Sequence, residues 1–202
     1  MIQINEAMNL VVPVVSDESG VKVWAYHTPI SRPVFEANYR VLAATKAALM
    51  GKGTIYMMDS GPRIAALTLL DEGAREAESR GRFDAKGNVI DEATPALLAE
   101  IRRLTMALVP GPNGWDLLPI EGAVSAGKID DEDQAEVESA IVFFTCICAL
   151  ASKAERKHHA GSTASLLKGS ITSLSPTEFS ASLPTSTPGA SSAPKVVSSV
   201  PS

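Results

Sequence analysis

The chain has 202 residues and carries 18 basic against 23 acidic side chains, a formal net charge of −5. That balance argues against a nucleic-acid binder, which needs clustered positive charge to displace phosphate counterions. Five Phe, two Trp and three Tyr are thin for stacking platforms, two Cys and three His are too few for a disulfide scaffold or a zinc cluster, and 45% hydrophobic residues suffice for a real core.

Met1 to Val15 has no basic leading region and no small-residue cleavage site, so it does not read as a secretory signal. The expectation is a protein of a reducing cytoplasm. Asn9 to Val15 is β-branched and apolar, Ser16 to Gly20 is turn chemistry, and Val21 to Thr28 alternates, which predicts a β-hairpin over about 9–28. Val21, Val23 and Ala25 share one face of its second strand, and Lys22, Trp24 and Tyr26 share the other. Pro13 cannot donate a ladder hydrogen bond, so the first strand is expected at an edge. A lone hairpin is marginal and must lie on helices.

The first predicted helix starts at Ser31 or Arg32, with Pro33 in its opening turn, and closes at Gly51. The second begins at Gly61-Pro62 and runs through Ile64, Leu67 and Leu70 to about Ser79. A Gly-punctuated turn, 81–88, leads to a third helix opened by Thr94-Pro95. Leu97, Leu98, Ile101, Leu104 and Leu108 give that helix a broad apolar stripe, and Pro110 to Gly114 stops it. Trp115 to Lys128 reads as a loop with a short helical turn. Asp130 then caps the longest predicted helix, 131–158, with acids in its first turn and bases in its last to match the macrodipole.

Composition breaks near Gly161. The 42 residues from Gly161 to Ser202 include 13 Ser, 5 Thr and 5 Pro, and only Lys168, Glu178 and Lys195 are charged. Such a stretch buries too little apolar surface to offset its ordering entropy. The expected organisation is therefore a globular α+β domain at 1–160, mainly helical with an N-terminal hairpin, and a disordered low-complexity tail at 161–202. Within the tail, Ile171 to Pro184 keeps apolar residues at intervals and a capping-box start, Ser175 to Glu178, as in a short motif that orders on a partner.

The residues that invite chemistry have simpler readings. The acids Asp130 to Asp133 lack the Gly and Glu spacing of a calcium loop, since Ala135 holds the sixth position, and they suit a helix N-terminus. Cys146 and Cys148 lie between Phe144 and Leu150, where thiols pack as small hydrophobes. Gly51-Lys52-Gly53-Thr54 lacks the earlier glycine of a phosphate loop and follows a helix rather than a strand. His27, Asp59 and Ser60 are triad ingredients without triad spacing. His158 and His159, as neighbours on a helix, point about 100° apart and make a poor chelate. The eleven-residue run Ile141 to Ala151 is short of the ~20 needed to span a bilayer. It is apolar on two faces: Val137, Ile141, Phe144 and Cys148 on one, Ala140, Phe143, Ile147 and Leu150 on the other. A helix apolar on both faces is central to the fold or shared with a partner.

Several segments taken in order resemble the tail assembly chaperones of long non-contractile-tailed bacteriophages. They are His27 to Phe35, Glu100 to Leu104 leading to Val109 to Trp115, Glu136 to Phe144, and Thr172 to Phe179 with Ser182 to Pro188. The resemblance implies a non-enzymatic, mainly helical protein of the infected host cytoplasm. It would bind the long tape measure protein, keep it soluble, assist tail tube polymerisation around it, and be absent from the mature virion. Many relatives add a C-terminal extension by programmed frameshift to recruit tail tube protein, and this chain would be the short form. The resemblance transfers no catalytic, metal or cofactor residue, and no cofactor, nucleic acid or membrane is expected. A holdase needs apolar surface on a soluble, charged domain, and a homo-oligomer would be compatible with that. The expected client contacts are Leu97, Ile101, Leu104 and Leu108 of the third helix or Phe143, Phe144 and Ile147 of the last, with Leu174 and Phe179 in the tail motif. The same helix positions are also candidates for core. The competing class is a structural virion protein of the tail or head–tail junction.

Overall fold

The alternating run at the N-terminus forms the expected hairpin, β1 (Asn9–Asp17) and β2 (Gly20–His27), paired antiparallel from Leu10 opposite His27 to Asp17 opposite Gly20. Gly20 takes φ +120°, a conformation that L side chains rarely adopt, at the turn. The computed structural model describes residues 8–112 and 114–184. Within them the hairpin is the centre of a five-stranded antiparallel sheet of order β4-β3-β2-β1-β5, with β3 (Thr105–Gly111), β4 (Gly114–Pro119) and β5 (Ser170–Thr172). The fold is thus mixed α+β.

The first strand is an edge only in part. β5 covers Asn9, Leu10 and Val11, and stops two residues short of Pro13. From Pro13 onward β1 has register shifts at Val15 and Ser16. The missing N–H and the bulged backbone discourage further strand pairing along this stretch.

Of the eight helices among the described residues, seven pack around one side of the sheet. Helix α1 (Arg32–Gly51) matches its predicted bounds, with Pro33 in its first turn. A six-residue helix not expected from sequence, α2 (Thr54–Asp59), leads through Ser60 into α3 (Gly61–Ser79). The packing face of α3 is made largely of small residues. Its buried positions are Gly61, Ala65, Ala66, Leu69, Gly73 and Ala77, while Leu67 is 63% and Leu70 38% exposed. The small residues permit close approach: a Cβ on Gly73 would sit 2.0 Å from Thr94 Oγ1, and one on Gly61 3.1 Å from a Phe143 ring carbon.

The third predicted helix is corrected at both ends. Helix α4 (Ala93–Arg103) starts before Thr94, because Asp91 Oδ1 accepts from the N–H groups of Ala93 and Thr94, each at 3.1 Å. It ends before Leu108, and the chain continues as β3. Leu104 is the C-terminal cap and Leu108 lies on a strand. Trp115 to Pro119, expected as loop, is β4, and α5 (Ile120–Ser125) is the short helical turn. The Pro- and Gly-rich breaker is the hairpin turn between β3 and β4, with Gly111 opposite Gly114.

The longest predicted helix is two helices, α6 (Asp131–Ala149) and α7 (Lys153–Leu166). The Asp130–Asp133 capping box forms in full. The break falls at Leu150 to Ser152, where Ser152 takes an extended conformation and its hydroxyl donates to Glu155 at 2.7 Å. His158 and His159 are therefore mid-helix residues of α7. The predicted boundary at residue 160 also falls inside α7, and the chain beyond it continues as β5 and α8 (Pro176–Ser182). Residues 161–184 are part of the fold because they find apolar surface on the sheet instead of having to supply it themselves. The rest of the Ser/Thr/Pro-rich stretch, 185–202, lies outside the described residues.

One large core lies between the sheet and the helices, with α6 through its middle. Leu10, Val12, Val23, Ala25, Ala107 and Val109 of the sheet meet Leu42, Leu49, Leu69, Leu97, Ile101, Ile141 and Phe143 of the helices. A second, smaller cluster lies on the opposite face of the sheet: Val11, Tyr26 and Leu108, flanked by Trp24, Trp115, Leu117, Phe179 and Leu183. The face assignment predicted for β2 holds, with Val23 and Ala25 inside and Trp24 and Tyr26 outside.

Candidate client-binding surfaces

The helix residues expected to contact a client are interior. Leu97 and Ile101 are each 1% exposed, Phe143 1%, Phe144 2% and Ile147 9%, all in the main core. Leu104 is half-buried at the end of α4. Leu108 is fully buried on the outer face of the sheet. In this fold all of these side chains except Leu104 are interior and hold elements together.

Leu174 and Phe179 belong to a different arrangement, in which the predicted tail motif orders on its own chain. After β5 the Leu174 carbonyl accepts from Asn9 Nδ2 at 3.1 Å and from the Tyr26 hydroxyl at 2.5 Å. The Ser175–Glu178 capping box forms and starts α8. Phe179 lies on Tyr26, ring centroids 6.0 Å apart and tilted by 50°. Trp115 Nε1 then donates to the Pro184 carbonyl at 3.1 Å. The segment 170–184 is a strap from the β1 edge to β4 across the outer face. Burial beneath it, and then the nearby Glu178 carboxylate, push the Tyr26 hydroxyl up to about 12.

Large apolar side chains are exposed elsewhere. Met50 at the end of α1, Ile55 and Met58 on α2, and Leu67 and Leu70 on α3 are 38–86% exposed, with Ile55 the most. A single exposed leucine is ordinary, but here five large apolar residues between positions 50 and 70, on three consecutive helices, are uncovered. Acidic Asp59, Asp71 and Glu72 are interspersed with them. The apolar run Ile64, Leu67 and Leu70 marks α3 as a helix but does not by itself reveal this set. Its signal was the small-residue row Gly61, Ala65, Ala66, Gly73 and Ala77, which marks the face that packs. A second exposed group, Phe83, Val89 and Ile90, sits on the α3–α4 link, where Phe83 and Val89 form a bridge.

The residues with chemical potential are quiet. His27 is fully buried, its Nδ1 is 3.0 Å from Thr105 Oγ1, and the Thr105 hydroxyl donates to the Ile101 carbonyl. The Nδ1 nitrogen therefore carries the proton, and Nε2 is buried without a partner among the described residues. Burial lowers the imidazole to about 3, so it is neutral at physiological pH. Its bond is to Thr105 and not to Asp59 or Ser60. Burial likewise pushes the Cys146 and Cys148 thiols up to about 12, well away from thiolate reactivity. Lys52 of the glycine-flanked Gly51–Thr54 segment lies over the Tyr56 ring, 5.0 Å from its centroid. Glu138 pairs with Arg102 across α6 and α4.

A groove of about 330 Å³ opens between the start of α1 and the end of α6, lined by Ile30, Phe35, Phe144 and Cys148 with Arg32 and Arg156 at its polar side. Arg32 is engaged by Glu36 at 2.7 Å. Among the described residues no three His, Cys, Asp or Glu side chains are grouped to hold a metal ion, and no helix is long and apolar enough to cross a membrane. No protein-family model, no curated protein and no solved structure matches the chain.

Proposed function

We propose that the protein is a non-enzymatic tail assembly chaperone of a long-tailed bacteriophage. In this reading it binds the tape measure protein, keeps it soluble in the host cytoplasm, assists tail tube polymerisation, and leaves before the virion matures. The segmental resemblance supports the family. The observation that carries the client-binding role is the exposed apolar set Met50, Ile55, Met58, Leu67 and Leu70 on α1 to α3. An amphipathic helix of a client lays its apolar face on such a surface, and methionines adapt to variable partners. The acidic charge of the domain, −5 over the whole chain, keeps the complex soluble.

The test is co-expression with the tape measure protein of the same phage, comparing the wild type with an Ile55→Asp, Leu67→Asp double variant. Both side chains face solvent, so the variant keeps the fold, which circular dichroism checks. The expected result is soluble client with the wild type and about a tenfold loss with the variant. Equal client solubility with both proteins would contradict this surface, and insoluble client with both would contradict the chaperone reading.

A further inference from the structure

The outer face of the sheet is a seat built for a particular peptide. Its floor is Val11, Tyr26 and Leu108, all fully buried, and its fixed polar contacts are the Asn9 amide, the Tyr26 hydroxyl and the Trp115 indole N–H. The occupant's requirements are equally specific: three extended residues that pair with Asn9, Leu10 and Val11, a capped helical turn, and an aromatic ring on Tyr26. The occupant covers the floor through Phe179 and Leu183, both only partly buried, and no residue of α8 is fully enclosed.

The hinge that feeds the strap is under local tension. Helix α7 ends with Lys168 N–H bonded to the Ser165 carbonyl at 3.1 Å and Gly169 N–H to the Ala164 carbonyl at 2.8 Å. That pattern places Lys168 at the position where helices favour glycine. Lys168 is the only non-glycine with positive φ among the described residues, at 54°. Immediately after it, Gly169 presses on β1 so closely that a Cβ there would lie 2.3 Å from the Val11 carbonyl oxygen. Short, strained hinges favour exchange of the element they carry.

We propose that the seat also accepts the strap of a second copy of this chain, giving a reciprocal dimer in which residues 169–184 cross over. Every seat contact is then the same as in the monomer, because the exchanged segment is identical. Opening the hinge returns Lys168 to a right-handed conformation and removes its left-handed cost. Against this stands tethering, which presents the chain's own strap at an effective concentration of about millimolar. The dimer is therefore a concentration-dependent species. This inference is independent of the client surface on α1 to α3.

The experiment is light scattering on size-exclusion fractions of the full chain, loaded across the micromolar to millimolar range, for wild type, Lys168→Gly and Gly169→Val. The wild type should pass from monomer to dimer as concentration rises. Lys168→Gly relaxes the closed hinge and should raise the dimer dissociation constant about tenfold or more. Gly169→Val blocks the seat in both forms and should abolish the dimer while far-UV circular dichroism stays near wild type. Adding a synthetic peptide of residues 169–184 to the wild-type dimer should disperse it to monomer, a readout that stands even if the valine variant does not fold. A wild type that remains monomeric throughout, or a dimer indifferent to Lys168→Gly and to the peptide, would overturn the proposal.

Discussion

The two faces of the sheet are made from the same strands and are stabilised in different ways. On the inner face Leu10, Val23, Ala25, Ala107 and Val109 pack against α1, α3, α4 and α6, in a continuous core with α6 at its centre. On the outer face Val11, Tyr26 and Leu108 are equally buried, but what covers them is the seven-residue helix α8 with Phe179 and the following Leu183, beside Trp24, Trp115 and Leu117 of the sheet. Burial of the sheet residues is complete in both cases. What differs is the stability of the cover, because opening the strap exposes one small cluster while opening the inner layer exposes the core.

The largest effect should come from the inner face. Phe143→Ala removes a ring that touches Gly61 of α3 and should cost about 3–5 kcal/mol, read as a shift in denaturant midpoint. A loss under 1 kcal/mol would mean that α6 is not central. Acid should act on the same face through His27. The unfolded chain takes up this proton near pH 6.5, whereas the folded one resists it down to about pH 3. Between those values the unfolded state binds more protons, so stability falls as pH drops, by up to about 1.4 kcal/mol per unit or about 2 kcal/mol at pH 5. A His27→Gln variant should lack that component of the pH profile, and a profile identical to wild type would place the imidazole in water.

The outer face should respond more weakly and more locally. Phe179→Ala should cost about 1–2 kcal/mol, and hydrogen exchange should accelerate in β5 and α8 while β2 and β3 stay protected. Equal acceleration through the whole sheet would erase the distinction between the two covers. The smallest effect belongs to the periphery of the inner layer. Asp130→Ala removes the capping box of α6 and should lower stability by about 1 kcal/mol in thermal unfolding, with no local opening of the strap.

The elements set by short-range chemistry were legible from the residues alone. The hairpin, both ends of α1 and α3, and the Asp130–Asp133 box each follow from turn, proline or capping residues within a few positions. The elements set by distant pairing were not. Leu97, Leu98, Ile101, Leu104 and Leu108 continue a helical spacing, yet Leu108 is held in a strand by pairing with Trp24 of β2. The same run also reads as the alternation of Thr105, Ala107 and Val109, and only β2 decides between them. The α6–α7 break carried a local signal, Ser152 with Glu155 three residues on, masked by the favourable charges around it. In α3 the large Leu67 and Leu70 stand on the exposed side, while packing selected glycine and alanine. The candidate client surface was hidden for that reason, since surface is what remains once the packing faces are known. The tail motif had the right local chemistry, but composition could not show that its partner is the sheet of its own chain.

The central functional claim is that the protein assists tail assembly and then departs, and quantitative mass spectrometry of purified particles beside the infected-cell lysate tests it most directly. The account predicts abundance in the lysate and absence from the particle. Tens of copies in each particle would contradict it and make the protein a structural component of the tail or head–tail junction.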